Sequence, residues 1–283
     1  MNDGKQVLYL YGIVPGDQAL PAGGGAPLAA IPYSRLAAVV ELVSAAEFAP
    51  EILDEKLRCV DWVALLAHKH TSVLEQVLQH GPVIPARLCT LFSSARAVTD
   101  LLAQNEQQLA ERLGWFEGRE EWGLKIFCDE ARLRATIASS DPVVLAIEAA
   151  AAAGSPGQAY VLRKKRDGCV ARSVAAATEA AVDEVLSLAA IAIDTRFRSL
   201  LSDAVSGRRE AMVANVALLV DITACPALHT AVEELSARLL PEGFAIELTG
   251  PWPPYSFCED HTDTQDLAAD ERVSAELASE EPR

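Results

Sequence analysis

The sequence predicts an α+β protein of two domains, each a small sheet with helices packed on it. Three observations carry that expectation. The chain has 283 residues, against about 150 for a typical domain. Short runs of β-branched and aromatic residues alternate with stretches of helical apolar spacing. The composition is 51% hydrophobic, leaning on alanine, with 6% aromatic and 23% charged residues, a globular mix that favours helix. A chain of this length buries on the order of three quarters of its unfolded surface, so stability requires neither disulfide nor metal.

The first domain is expected over residues 1–118. VLYLYGIV at 7–14 reads as a strand closed by Pro15-Gly16. The glycine- and proline-rich stretch after it reads as a loop. LAAVVELV at 36–43 makes a second strand, and Leu53, Leu57, Val60, Val63 and Leu66 then mark one helix running to about His80-Gly81. In PVIPARLCTLF at 82–92 two prolines forbid a helix, and the alternation of Ala86, Leu88, Thr90 and Phe92 suits a strand. Ser93 or Ser94 can cap a helix from about Ala95 to Leu113. The second domain is expected over 119–257: a strand at 122–127, a helix over 129–153, a long helix over 170–201, a strand at 213–222, a helix over 226–240 and a last strand at 244–248. That order is similar to a split βαβ, ferredoxin-like arrangement. Residues 258–283 hold nine acids against Arg272 and Arg283 and lack a sustained apolar stripe, so they read as a disordered acidic tail.

Charge narrows the function classes. The net charge of -16 and pI near 4.7 oppose nucleic acid and anionic membrane partners. Six cysteines without a CxxC pair read as reduced thiols, and the N-terminus lacks the basic flank and long apolar core of a signal peptide, which together give a cytoplasmic expectation.

Little in the sequence suggests catalysis. His68, His70 and His80 lie near Glu75, but their spacing puts no i, i+4 histidine pair on one helix face; three solvated or capping histidines are expected, with no metal. Cys89 is read as a buried strand thiol in preference to a nucleophile. The glycines at 23–25 lack the lysine and hydroxyl of a phosphate loop. Arg163, Lys164, Lys165 and Arg166 form the one dense basic patch, either a grip for an acidic surface or a solvated edge. GPWPPYSF at 250–257 is stiffened by three prolines and carries Trp252, Tyr255 and Phe257; it is either a strap sealing its own domain or an exposed binding strip.

LTGPWPPYSF at 248–257, LYLYGIV at 8–14, the histidine-bearing helix leading into PVIPARLCTLF, and WGLKIF at 122–127 together resemble the gas vesicle protein GvpL/GvpF family, in order and over most of the chain. The family's P-x-R-F-G-T-x-F segment keeps Pro85, Arg87, Thr90 and Phe92 here, but Leu88 and Cys89 replace its aromatic residue and glycine. The resemblance implies a non-enzymatic accessory protein of gas vesicle formation without a cofactor, located in the cytoplasm or at the vesicle, that binds the hydrophobic shell protein or other accessory proteins. It marks Arg87, Thr90, Phe92, Trp252, Tyr255 and Phe257 as partner-binding or structural positions. The rival expectation is a small-molecule enzyme or sensor with a ligand cleft between the domains, lined by Arg87, Tyr9 or Cys89.

Overall fold

The computed structural model describes residues 5–21, 27–201 and 207–258. The glycines at 23–25 and the acidic segment from Glu259 onward lie outside these residues. The described chain divides into two compact units. One holds the residues up to Glu120 together with those from Trp252 on, and the other holds Glu121–Pro251. The segment Trp252–Cys258 thus belongs with the first unit, whereas the sequence division at 119–257 put it in the second. Its aromatic side chains find their apolar partners on the first unit, as described below.

The first unit is built on a sheet of β1 (Gln6–Pro15), β2 (Ala29–Tyr33), β3 (Leu36–Ser44), β4 (Ile84–Pro85) and β5 (Leu91–Phe92), in the order β2-β3-β1-β4 with β5 also on β1. β1 and β3 pair antiparallel from Gln6↔Ser44 to Pro15↔Leu36, and the pairing shifts between Leu10 and Gly12. β1 is buried on both faces over Tyr9–Val14, which is why it reads as an unbroken apolar run. β2 is an addition, lying between the expected loop and the strand expected at 36–43. It pairs with β3 from Ala29↔Val40 to Tyr33↔Leu36 through a Ser34-Arg35 turn, and Pro32 is tolerated because β2 is an edge strand. A Cβ at Gly12 would come within 2.7 Å of the Ile84 carbonyl oxygen, so glycine is what lets β4 close on β1.

The expected single strand over 82–92 is instead two short ones. β4 and β5 both pair with β1, at Gly12↔Pro85 and Ile13↔Ile84 and again at Leu8↔Phe92 and Tyr9↔Leu91, and residues 86–90 loop out between the pairings. Ala86 N–H donates to the Tyr11 carbonyl at 2.8 Å and Leu10 N–H to the Thr90 carbonyl at 2.9 Å, closing the loop at both ends.

Helices α1 (Pro50–Leu57) and α2 (Val60–Leu78) replace one expected helix, broken where Cys59 takes extended backbone. α3 (Ala95–Gln104) and α4 (Glu106–Phe116) replace another. Ser94 caps α3 by accepting from Ala97 N–H, and the Asn105 side chain turns back onto the Leu101 carbonyl at 2.9 Å to end it. The core of this unit gathers Tyr9, Tyr11, Val39, Phe48, Leu74 and Val83.

The second unit carries a sheet in the order β7-β8-β6-β9, from β6 (Arg119–Cys128), β7 (Asp194–Phe197), β8 (Ala211–Asp221) and β9 (Phe244–Trp252). β7 and β8 are antiparallel from Asp194↔Leu219 to Phe197↔Val216. Its helices are α5 (Glu130–Ser140), α6 (Pro142–Ala153), α7 (Pro156–Leu186) and α8 (Cys225–Leu239). The helix expected over 129–153 is broken at Asp141, whose carboxylate caps α6 through Val143 and Val144 N–H with Pro142 in the first turn. The helix expected over 170–201 begins earlier, at Pro156, and ends at Leu186. A 3₁₀ turn at Ser187–Ile191 and strand β7 follow, because Ile193, Thr195 and Phe197 alternate with a period of two. β9 runs on to Trp252, four residues past the expected end. Leu124, Ile126, Val144, Val185, Leu218 and Phe244 anchor this unit's core.

Candidate functional site

The sequence-marked residues of the first unit converge on a buried polar cluster. Tyr9 and Tyr11 stand two residues apart on β1, so both face one side of the strand, and their rings lie 4.9 Å apart. His70, from α2, is 2% exposed and Tyr9 1%. The Tyr9 hydroxyl lies 2.8 Å from His70 Nδ1, and His70 Nε2 lies 3.2 Å from the Ala86 carbonyl oxygen. A carbonyl only accepts, so Nε2 carries the ring proton and donates to it, leaving Nδ1 as the acceptor of the Tyr9 hydroxyl. The Tyr9 oxygen in turn accepts Cys89 N–H at 3.2 Å. One hydroxyl thereby joins β1, α2 and the 86–90 loop.

Beside it, the Tyr11 hydroxyl donates to Glu41 Oε2 at 2.6 Å and Lys69 Nζ to Glu41 Oε1 at 2.8 Å. Glu41, on β3, is buried, and these two donors compensate for its loss of water. Tyr255 closes the group: its ring centroid lies 6.4 Å from that of His70, and it packs against the first unit's core.

The electrostatics oppose proton transfer near neutrality. Burial lowers His70 from 6.5 to about 4, partly countered by the Ala86 carbonyl, so the imidazole is neutral. Burial also holds the Tyr9 hydroxyl well above its ordinary value, and burial followed by the Glu41 hydrogen bond does the same for Tyr11. A general base near pH 7 needs a pKa near 7. The hydrogen bonds make the cluster a polar joint between β1, β3, α2 and the 86–90 loop. The three histidines do not act together: His68 is exposed, His80 is exposed and donates through Nδ1 to the Gln76 carbonyl at 3.0 Å, and His70 is neither solvated nor a cap, contrary to expectation. Its burial follows from a position four residues before Leu74 on the face that α2 turns to the core.

Arg87 is exposed, and its carbonyl, not its guanidinium, does the local work, accepting Thr90 Oγ1–H at 2.7 Å and Thr90 N–H at 3.3 Å. Phe92 is half-buried opposite Leu8. Cys89, expected in a strand, has φ of 64°, a left-handed conformation in the loop, and burial raises its thiol. Trp252 and Tyr255 are half-buried and Phe257 is 1% exposed. Phe257 meets Trp115 edge-on at 6.2 Å between ring centroids, and its carbonyl accepts from Arg112 of α4. Arg163, Lys164, Lys165 and Arg166 belong to α7 of the second unit. Sequence reasoning missed Tyr11, Glu41, Lys69 and Arg112. The legible signal was Glu41, the one acid inside an otherwise apolar strand.

Fold and cluster define an α+β protein of two units whose aromatic segment Trp252–Phe257 packs on the first unit. The family model of the gas vesicle synthesis protein GvpL/GvpF matches residues 7–259, and the chain belongs to that family. Gas vesicle protein L of a Streptomyces species is 31% identical over 273 residues, covering 91% of this chain and 96% of that protein. Gas vesicle protein L2 of Halobacterium salinarum is 30% identical over 209 residues, covering 71% of this chain and 73% of that one. The crystal structure of GvpF from an Anabaena species shares the fold with a TM-score of 0.62 at 17% identity, covering 90% of this chain and 97% of that one. GvpF from Microcystis aeruginosa superposes with a TM-score of 0.58 at 19% identity, covering 89% and 99%. The chain is a gas vesicle accessory protein by family. No single helix among the described residues is long and apolar enough to cross a membrane.

Proposed function

We propose that this protein acts during gas vesicle assembly by binding the hydrophobic shell protein, or the accessory proteins that accompany it, in the cytoplasm and at the growing vesicle. The observation that carries the proposal is an exposed apolar stretch on α1 and α2. Leu57, Val60 and Leu65 stand within nine residues of one another, Val60 and Leu65 with 79% and 75% of their surface in water. Single exposed aliphatics are ordinary, but three within nine residues at the α1–α2 junction concentrate apolar exposure that an apolar partner would cover. The net charge of -16 suits this role, since it keeps a complex with an aggregation-prone partner in solution. In the same reading the second unit is a ferredoxin-like domain, supported by its strand order β7-β8-β6-β9.

The test is co-purification from cells expressing the complete gas vesicle gene set. The wild-type chain should carry the shell protein with it, and the triple variant Leu57→Glu, Val60→Glu, Leu65→Glu should fold normally and lose it. Retention of the shell protein by that variant at wild-type yield would overturn the assignment of this surface. A wild-type chain that captures no gas vesicle protein would overturn the function itself.

A further inference from the structure

The second unit holds a surface of a different character. α6 and α7 run back along each other from the Gly154-Ser155 turn, and between them lies an open groove of about 630 Å³ lined by Ala150, Gly154, Gly157, Gln158, Val161 and Leu162. None of these side chains is charged. Val161 is 64% exposed, and its neighbour Tyr160 is exposed as well. A Cβ at Gly157 would meet nothing within 4 Å, so the missing side chain accommodates no neighbour in this chain and leaves the floor of the groove open.

The rim of the groove is basic. Lys164 and Lys165 follow Val161 by three and four residues, which places them one turn further along the same helix face. Both are exposed. Arg166 is tied to Glu148 at 2.6 Å and to Asp167 at 3.2 Å, whereas among the described residues no acid pairs with Arg163, Lys164 or Lys165. In a protein of net charge -16 Lys164 and Lys165 set a positive edge beside the groove. An uncharged groove with a basic rim has the recognition chemistry of helix-in-groove binding, in which apolar anchors fill the trough and side chains of opposite charge line its edge.

We infer that the α6–α7 groove is a docking surface for an amphipathic helix of a partner protein, a helix that sets apolar residues into the trough and acidic residues against Lys164 and Lys165. This surface lies in the other unit from Leu57, Val60 and Leu65, so the two assignments stand or fall separately.

The experiment uses the full chain and two fluorescent helical peptides with the same leucine stripe, one flanked by glutamates and the other by lysines. Fluorescence anisotropy at about 0.1 M salt should show the glutamate peptide binding about tenfold tighter. The pair Lys164→Glu and Lys165→Glu should reverse that order, and Val161→Asp, at an exposed position, should abolish binding without lowering Tm. Equal binding of the two peptides, or a glutamate-peptide affinity unchanged in both variants, would overturn the proposal. A photo-reactive amino acid at position 160, in cells expressing the gas vesicle gene set, then identifies the occupant. A cross-link to an acid-flanked helix of another gas vesicle protein supports the proposal. A cross-link to a second copy of this chain, to its own residues 259–283, or to nucleic acid overturns it.

Discussion

The guanidinium of Arg112 donates to the carbonyl of Phe257 across 145 positions of sequence, and the Phe257 ring beneath is 1% exposed against Trp115. One charged hydrogen bond and one buried ring thus help to fix the strap, beside the packing of Tyr255. Phe257→Ala should cost about 3 to 5 kcal/mol in urea unfolding, the range for emptying a buried aromatic site. Trp252→Ala, at a half-exposed position, should cost about half as much. Equal losses in the two variants would show that the strap is anchored at its start and not at Phe257.

His70 makes stability depend on pH. Its pKa falls from 6.5 in the unfolded chain to about 4 in the folded one. Above pH 6.5 both states are neutral at this site and nothing is lost. Between pH 6.5 and 4 the unfolded chain takes up a proton that the folded chain refuses, so stability should fall with acidification by about 1.4 kcal/mol per pH unit from this residue. His70→Gln should be less stable at pH 7.5 yet show a shallower slope over that window. Parallel stability curves for the two proteins would refute the buried neutral imidazole.

Cys89 holds φ at 64°, a conformation that costs a residue with a Cβ about 1 to 2 kcal/mol. Glycine escapes that cost, so Cys89→Gly should raise stability by about 1 kcal/mol after its greater freedom in the unfolded chain is subtracted. Thermal unfolding of the pair decides it; a destabilised glycine variant would mean that the half-buried thiol contributes more packing than the backbone loses.

Tyr11→Phe keeps the ring and removes the shorter of the two hydrogen bonds to the buried Glu41. Leaving that oxygen unsatisfied should cost about 1 to 3 kcal/mol. Restoring most of the loss with Glu41→Gln in the Tyr11→Phe background would show that the penalty arises from the carboxylate's charge; no rescue would place it in the packing.

Much of the fold is legible where residues carry their own instructions. β1 and β8 announce themselves as apolar runs, Ser94 caps as its position suggests, and the GPWPPYSF segment combines stiffness with aromatic surface. Two of the errors share a cause: breaks made by side chains that turn back on the backbone. Asn105 and Asp141 each end one helix and begin the next within a residue, and helical periodicity passes through such points almost unchanged. Pro142 was the overlooked signal for the second break. β7 was hidden because its alternation follows directly on a helical stretch. The polar joint was less accessible still: Tyr9, Glu41, His70 and Cys89 come from four parts of the chain, and only the packing of α2 onto β1 and β3 turns an ordinary histidine into a buried neutral one.

The strands that open and close the Glu121–Pro251 segment, β6 and β9, are neighbours, and Gly250 approaches the Glu121 carbonyl so closely that a Cβ would meet its oxygen at 2.9 Å. Chain entry and chain exit of this segment therefore coincide in space, and Trp252–Cys258 resumes the unit that Glu120 left. In terms of gene architecture the segment is a cassette inserted within a host. Its two junctions can be cut together, so a relative's cassette can be grafted between Glu120 and Trp252 without displacing either end, provided the graft keeps glycine where the incoming and outgoing strands touch.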